Sequence, residues 1–79
     1  MARVLLFGRF RDLAGWRERE IEAATLFDLR TALTREDPDF GATLTGPGVQ
    51  VAVDQTIMRG DVTLSPRSEV AFLPPMSGG

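Results

Sequence analysis

The chain has no cysteine, no histidine and no lysine. Without cysteine there are no disulfides and no thiolate metal site to reinforce a small fold. Without histidine the usual near-neutral acid or base is missing, together with the commonest metal ligand. All nine cations are arginines, so no side chain can form a Schiff base or receive an isopeptide bond. A self-contained hydrolase, transferase or metalloenzyme is not expected, and no metal site is expected. The arginines are scattered and the net charge is −2, which argues against a nucleic-acid partner. Long apolar runs are missing too. Val4-Leu5-Leu6-Phe7 is the longest early one, far short of a membrane span, so no membrane partner is expected and the cytoplasm is the expected location.

What is present is one small domain of 79 residues, 43% hydrophobic, enough for a globular core. Ala2 to Phe7 reads as a first strand with apolar side chains on both parities, hence covered on both faces. Arg9 to Ala14 reads as a short helical turn stopped by Gly15. Trp16 to Glu22, mostly charged, reads as an edge strand antiparallel to the first. Thr25 is an N-cap, with Asp28 placed to return the bond. Leu26, Leu29 and Leu33 form an apolar stripe that Phe27 and Ala32 widen. Asp37-Pro38 ends that helix. Residues 39–48 read as a loop with at most a short turn near Ala42-Thr43-Leu44. Val49 to Val53 alternates as a strand, Asp54-Gln55 turns, and Thr56 to Met58 returns. Glu69 to Leu73 is the last strand.

Strands on both sides of one main helix predict an α+β fold, a mixed sheet with the helix on one face. The first and last strands belong side by side at its centre. Val4, Leu6, Val49, Val51, Val53, Val70 and Phe72 then face the helix. Leu5, Phe7, Ala52, Ala71 and Leu73 are left on the other face, an apolar patch suited to a partner unless loop 39–48 folds over it.

Residues 1–73 thus form the body and 74–79 a tail, Pro74-Pro75-Met76-Ser77-Gly78-Gly79. Proline cannot continue a strand ladder and favours stiff, extended geometry. Six extended residues reach on the order of 20 Å. Gly78 and Gly79 carry no Cβ, so the tip suits a narrow channel. The shape is that of an arm delivering its own carboxylate into another protein's pocket.

The opening Val4-Leu5-Leu6-Phe7-Gly8-Arg9-Phe10-Arg11-Asp12-Leu13-Ala14-Gly15 and the ending Glu69-Val70-Ala71-Phe72-Leu73-Pro74-Pro75-Met76-Ser77-Gly78-Gly79 resemble the two ends of the MoaD family, the small subunit of molybdopterin synthase. The resemblance runs the whole length. Arg67-Ser68 stand where the family usually has Gly-Asp, Asp54 where it often has Asn, and Met76 where it usually has Val. The resemblance implies a ubiquitin-like β-grasp fold. It also implies that the protein is not an enzyme alone. A ubiquitin-activating-like adenylyltransferase would use ATP to adenylate the carboxylate of Gly79, and sulfur would replace AMP to leave a thiocarboxylate. The large synthase subunit would receive the tail and pass the sulfur to a pyranopterin precursor during molybdenum cofactor biosynthesis. No stably bound cofactor is implied; the family forms a heterotetramer. Met76 and the prolines would hold the tail in register. Leu5, Phe7, Ala52, Ala71 and Leu73 would dock the body, with Arg11 at the rim. Two further readings share this body and tail: a sulfur carrier for cysteine or thiazole synthesis, and a ubiquitin-like protein modifier.

Overall fold

The computed structural model describes residues 1–75. Five strands form one sheet: β1 (Ala2–Leu6), β2 (Glu18–Ile21), β3 (Gln50–Val53), β4 (Thr56–Met58) and β5 (Glu69–Leu73), in the spatial order β2-β1-β5-β3-β4. β1 and β5 run parallel at the centre; every other pairing is antiparallel. The two strands with apolar residues on both parities are therefore the two central ones, as their composition requires. The charged β2 lies on an edge, where its side chains discourage stray pairing. β1 stops one residue before Phe7, and β2 is shorter than the charged run containing it.

β3 and β4 form a hairpin. Asp54 and Gln55 take φ 50° and 70°, the left-handed pair whose twist suits a two-residue connection. Three helices lie among the described residues: α1 (Arg9–Ala14), α2 (Leu26–Glu36) and α3 (Pro38–Leu44). In the first turn of α2 each N–H finds an acceptor. Leu26 donates to the Val62 carbonyl at 2.9 Å, Phe27 to Asp61 Oδ1 at 2.8 Å and Asp28 to Thr25 Oγ1 at 3.1 Å. The cap is thus completed by Asp61, far along the chain, alongside the local Thr25.

Two expectations need correction. Residues 39–48 are not a loop throughout, because α3 covers the first part. Asp37 ends α2 by donating to the Leu33 carbonyl at 3.0 Å, then caps α3 by accepting from the Phe40 N–H at 3.2 Å. Pro38 occupies the first turn of α3, where a missing N–H costs nothing. The dipeptide that stops one helix therefore starts the next. Phe27 does not widen the buried stripe; it is 67% exposed on the solvent side of α2.

The core lies between the sheet and the helices. Val4, Leu6, Val51, Val53, Val70 and Phe72 from the strands meet Leu26, Leu29 and Leu33 of α2, Phe10 of α1, and Phe40 and Leu44 of α3. Phe40 takes edge-on contacts from Phe10 and Trp16, both at 6.4 Å between ring centroids. α3 joins this core, so it does not cover the opposite face of the sheet. Its approach to α2 depends on Gly41, where a Cβ would stand 2.6 Å from the Thr34 Cα.

Candidate functional site

Two features converge at the C-terminal end of β5: the outer face of the sheet and the root of the tail. The outer face follows from register. Leu5 pairs with Ala71, Ala71 with Ala52, and Ala52 with Ile57, so these four form one row from β1 to β4. Leu73 lies two residues beyond Ala71 on the same face, opposite Gln50. Phe7, just past β1, is 37% exposed. Leu5, Ala71 and Leu73 are half-buried, while Ala52 is buried between its neighbours. Leu5, Phe7, Ala52, Ala71 and Leu73 therefore share a face, as expected from alternation, and no helix covers it among the described residues.

Ile57, 45% exposed in the same row, was not among the expected docking residues. The signal was available: a two-residue turn at Asp54-Gln55 sets Ile57 opposite Ala52. Arg11 lies at the margin. Its Nε donates to the Leu6 carbonyl at 2.9 Å, and its guanidinium stands 5.6 Å from the Phe7 ring centroid. That backbone bond at the end of β1 fixes where the charge sits, and the aromatic contact holds the Phe7 ring.

The opposite end of the same face is polar. Arg3 pairs with Glu69 at 2.7 Å and with Glu18 at 3.7 Å. The hydrogen bond from Arg3 to Glu69, and then the Glu18 charge, hold the guanidinium above its ordinary pKa. The face is thus graded, charged where β5 begins and apolar where it ends and the tail departs.

The tail root is packed on both sides. Pro74 and Pro75 are half-buried. Pro74 lies against Gly8 at the end of β1, and Pro75 against Gly48 in the approach to β3. β1 and β3 flank β5, so the two glycines stand on either side of the departing chain. Met76, Ser77, Gly78 and Gly79, the expected reactive tail, lie outside the described residues.

The two departures within the body have local solutions. Asp54 makes two hydrogen bonds with Glu69 across the sheet. Ser68 is buried; its Oγ accepts from the Ser65 N–H at 2.8 Å, and its carbonyl accepts from the Arg3 N–H at 2.9 Å. Both turns close with the residues this chain carries.

Among the described residues there is no group of three His, Cys, Asp or Glu side chains able to hold a metal. No helix there is long and apolar enough to cross a membrane. Among the described residues the arrangement offers an uncovered apolar face with the packed Pro74-Pro75 root beside it.

A mixed five-stranded sheet with a central parallel pair, holding a helix against one face, is the ubiquitin-like β-grasp architecture. The chain belongs to the ThiS family, which matches residues 4–79. It is 33% identical over 81 residues to the molybdopterin synthase sulfur carrier subunit of Escherichia coli, with all of both chains covered. Among solved structures it is similar to a putative molybdopterin converting factor, subunit 1, from Pyrococcus furiosus. There the TM-score is 0.81 and the identity 31%, over 95% of this chain and 97% of the other. It also matches the fold of small archaeal modifier protein 1 from Methanosarcina acetivorans, with TM-score 0.86 and 22% identity over 99% and 95% of the two chains.

Proposed function

We propose that this protein is the sulfur-carrying small subunit of a molybdopterin synthase and that its reactive group is the main-chain carboxyl of Gly79. One observation carries the reading: the tail root leaves the sheet centre directly beside an open apolar face, on a chain aligned end to end with a sulfur carrier subunit. A carboxylate is a poor electrophile because oxide is a poor leaving group. An adenylyltransferase using ATP converts it to an acyl adenylate and releases pyrophosphate. A sulfur nucleophile then displaces AMP, leaving a thiocarboxylate. The large synthase subunit docks on Leu5, Phe7, Ala71 and Leu73, with Ile57 extending the patch and Arg11 at its rim. It takes the 74–79 tail into its active site and brings the catalytic acids and bases. Sulfur leaves with the pyranopterin precursor, and water restores the carboxylate. The working assembly is a heterotetramer in the cytoplasm.

A second reading, a protein modifier, draws on the likeness in fold to the small archaeal modifier protein. The same adenylate would then be captured by lysines of other proteins.

The test is the intact mass of protein isolated from cells. A carrier shows a gain of about 16 Da, sulfur for oxygen, localised to Gly79. Isopeptide-linked adducts that vanish on deletion of Gly79, with no thioacid, would replace the carrier reading by the modifier one.

A further inference from the structure

β5 ends at Leu73, and the next two residues are prolines that each meet a glycine. Gly8 has φ 57°, and a Cβ there would stand 3.0 Å from Pro74 Cγ. Gly48 has φ 81°, and a Cβ there would stand 2.7 Å from Pro75 Cβ. At that separation the Pro75 ring and the Gly48 backbone cannot both stay in place once a side chain is added. A proline ring fixes its own φ, so it has little freedom to turn aside.

We propose that Gly8 and Gly48 form a seat for the Pro74-Pro75 root, and that this seat sets the direction in which the tail leaves the domain. They are positioning residues, acting on Gly79 only through the prolines. The proposal rests on the sulfur-carrier reading for its purpose, not for its geometry. With no side chain on either glycine, the rings lie directly on backbone from two sides. Two seated prolines define a stiff, extended start for the arm. A change of angle at the root is magnified along four further residues, on the order of 13 Å. Reacting groups misplaced by about 1 Å can lose on the order of 10²-fold in rate.

The chain contains its own control. Gly60 has φ 89°, and nothing lies within 4 Å of a Cβ built on it. Gly60→Ala therefore imposes the backbone strain of Gly48→Ala without touching the tail.

The experiment compares the full-length wild type with Gly48→Ala, Gly60→Ala and Pro75→Gly. Pro75→Gly loosens the root without strain at residue 48, which keeps the test decisive should Gly48→Ala fail to fold. In the isolated protein, nuclear Overhauser contacts between the Pro75 ring and the α protons of residue 48 report the seat directly. With the large subunit, sulfur delivery is measured with its kcat and the affinity of the complex kept separate. The wild type should show the contact, and Gly48→Ala should lose it. Both Gly48→Ala and Pro75→Gly should lower kcat at least about tenfold, with affinity unchanged in Gly48→Ala, while Gly60→Ala stays within about twofold of wild type. A missing wild-type contact overturns the seat, as does a kcat for Gly48→Ala or Pro75→Gly matching that of Gly60→Ala. A wild type that shows the contact but never acquires sulfur leaves the seat standing and removes the carrier reading.

Discussion

Asp54 and Glu69 are joined by two hydrogen bonds across the sheet. The Asp54 N–H donates to the Glu69 carbonyl at 2.8 Å, and the Glu69 N–H donates to Asp54 Oδ1 at 2.9 Å. One residue begins the β3–β4 turn and the other begins β5. The pair therefore ties the hairpin to the strand that carries the tail.

Asp54 stands at φ 50°, a left-handed conformation that Asn and Asp tolerate better than most residues. Asp54→Asn keeps both the conformation and the acceptor and should leave stability nearly unchanged. Asp54→Ala loses the acceptor, at about 1 kcal/mol, and adds strain on the order of 1 kcal/mol. Urea unfolding midpoints measure the difference.

The open face makes a separate prediction for binding. Ile57→Glu places a charge in the apolar row and Phe7→Glu places one just past its β1 edge; each should weaken association with the large subunit by tenfold or more, about 1.4 kcal/mol. Arg3→Ala, at the polar end, should change it little. Titration calorimetry decides; unchanged affinity in both glutamate variants takes the face out of the docking account.

Gly41→Ala tests the α2–α3 crossing. Alanine is intrinsically better than glycine in a helix by about 1 kcal/mol. Its Cβ, however, would stand 2.6 Å from the Thr34 Cα, and backbone cannot swing aside as a side chain can. The clash should prevail, with a net loss of about 1–3 kcal/mol on chemical denaturation.

The ion pair of Arg19 with Glu36 predicts a pH dependence. Two hydrogen bonds of 2.8 and 2.9 Å link them, and Arg19 also lies over Trp16 at 5.1 Å. Hydrogen bonding from Arg19 holds the Glu36 carboxyl below its ordinary 4.5. A carboxylate with a depressed pKa stabilises the fold above its unfolded value, and that contribution disappears as pH falls through the folded value. Glu36→Gln should therefore melt slightly below wild type at neutral pH, and the gap should close as pH falls below the ordinary carboxylate range. The effect should be small because the pair is exposed, and melting curves across pH should show the two proteins converging.

Alternation and end signals were enough to place the strands in sequence and the two central strands in space. Val4, Leu6, Val70 and Phe72 are apolar at every second position, and the intervening residues are apolar too, so β1 and β5 had to be covered on both sides. The same alternation placed Leu5, Phe7, Ala71 and Leu73 on one face. Residues 38–44 escaped because Asp37-Pro38 carries both a stop and a start, and α3 has too few turns to show a stripe of its own. Phe27 misled because its apolar character was weighed above its position: at helical spacing it stands roughly 100° or more around α2 from Leu26, Leu29 and Leu33, on the side where its ring is exposed.

By itself the sequence determined which side-chain chemistry is absent: with no cysteine, histidine or lysine, the chain has no thiol, imidazole or side-chain amine. It also determined a stiff departure, since two prolines follow the last strand whatever surrounds them. Only the tertiary structure decided where that departure points. Gly8 and Gly48 are 40 residues apart in the chain and meet the prolines because β1 and β3 flank β5. Local spacing records conformational preference one turn or one pleat at a time, whereas the contacts around Pro74 and Pro75 arise from strand order and exist only once the sheet has closed.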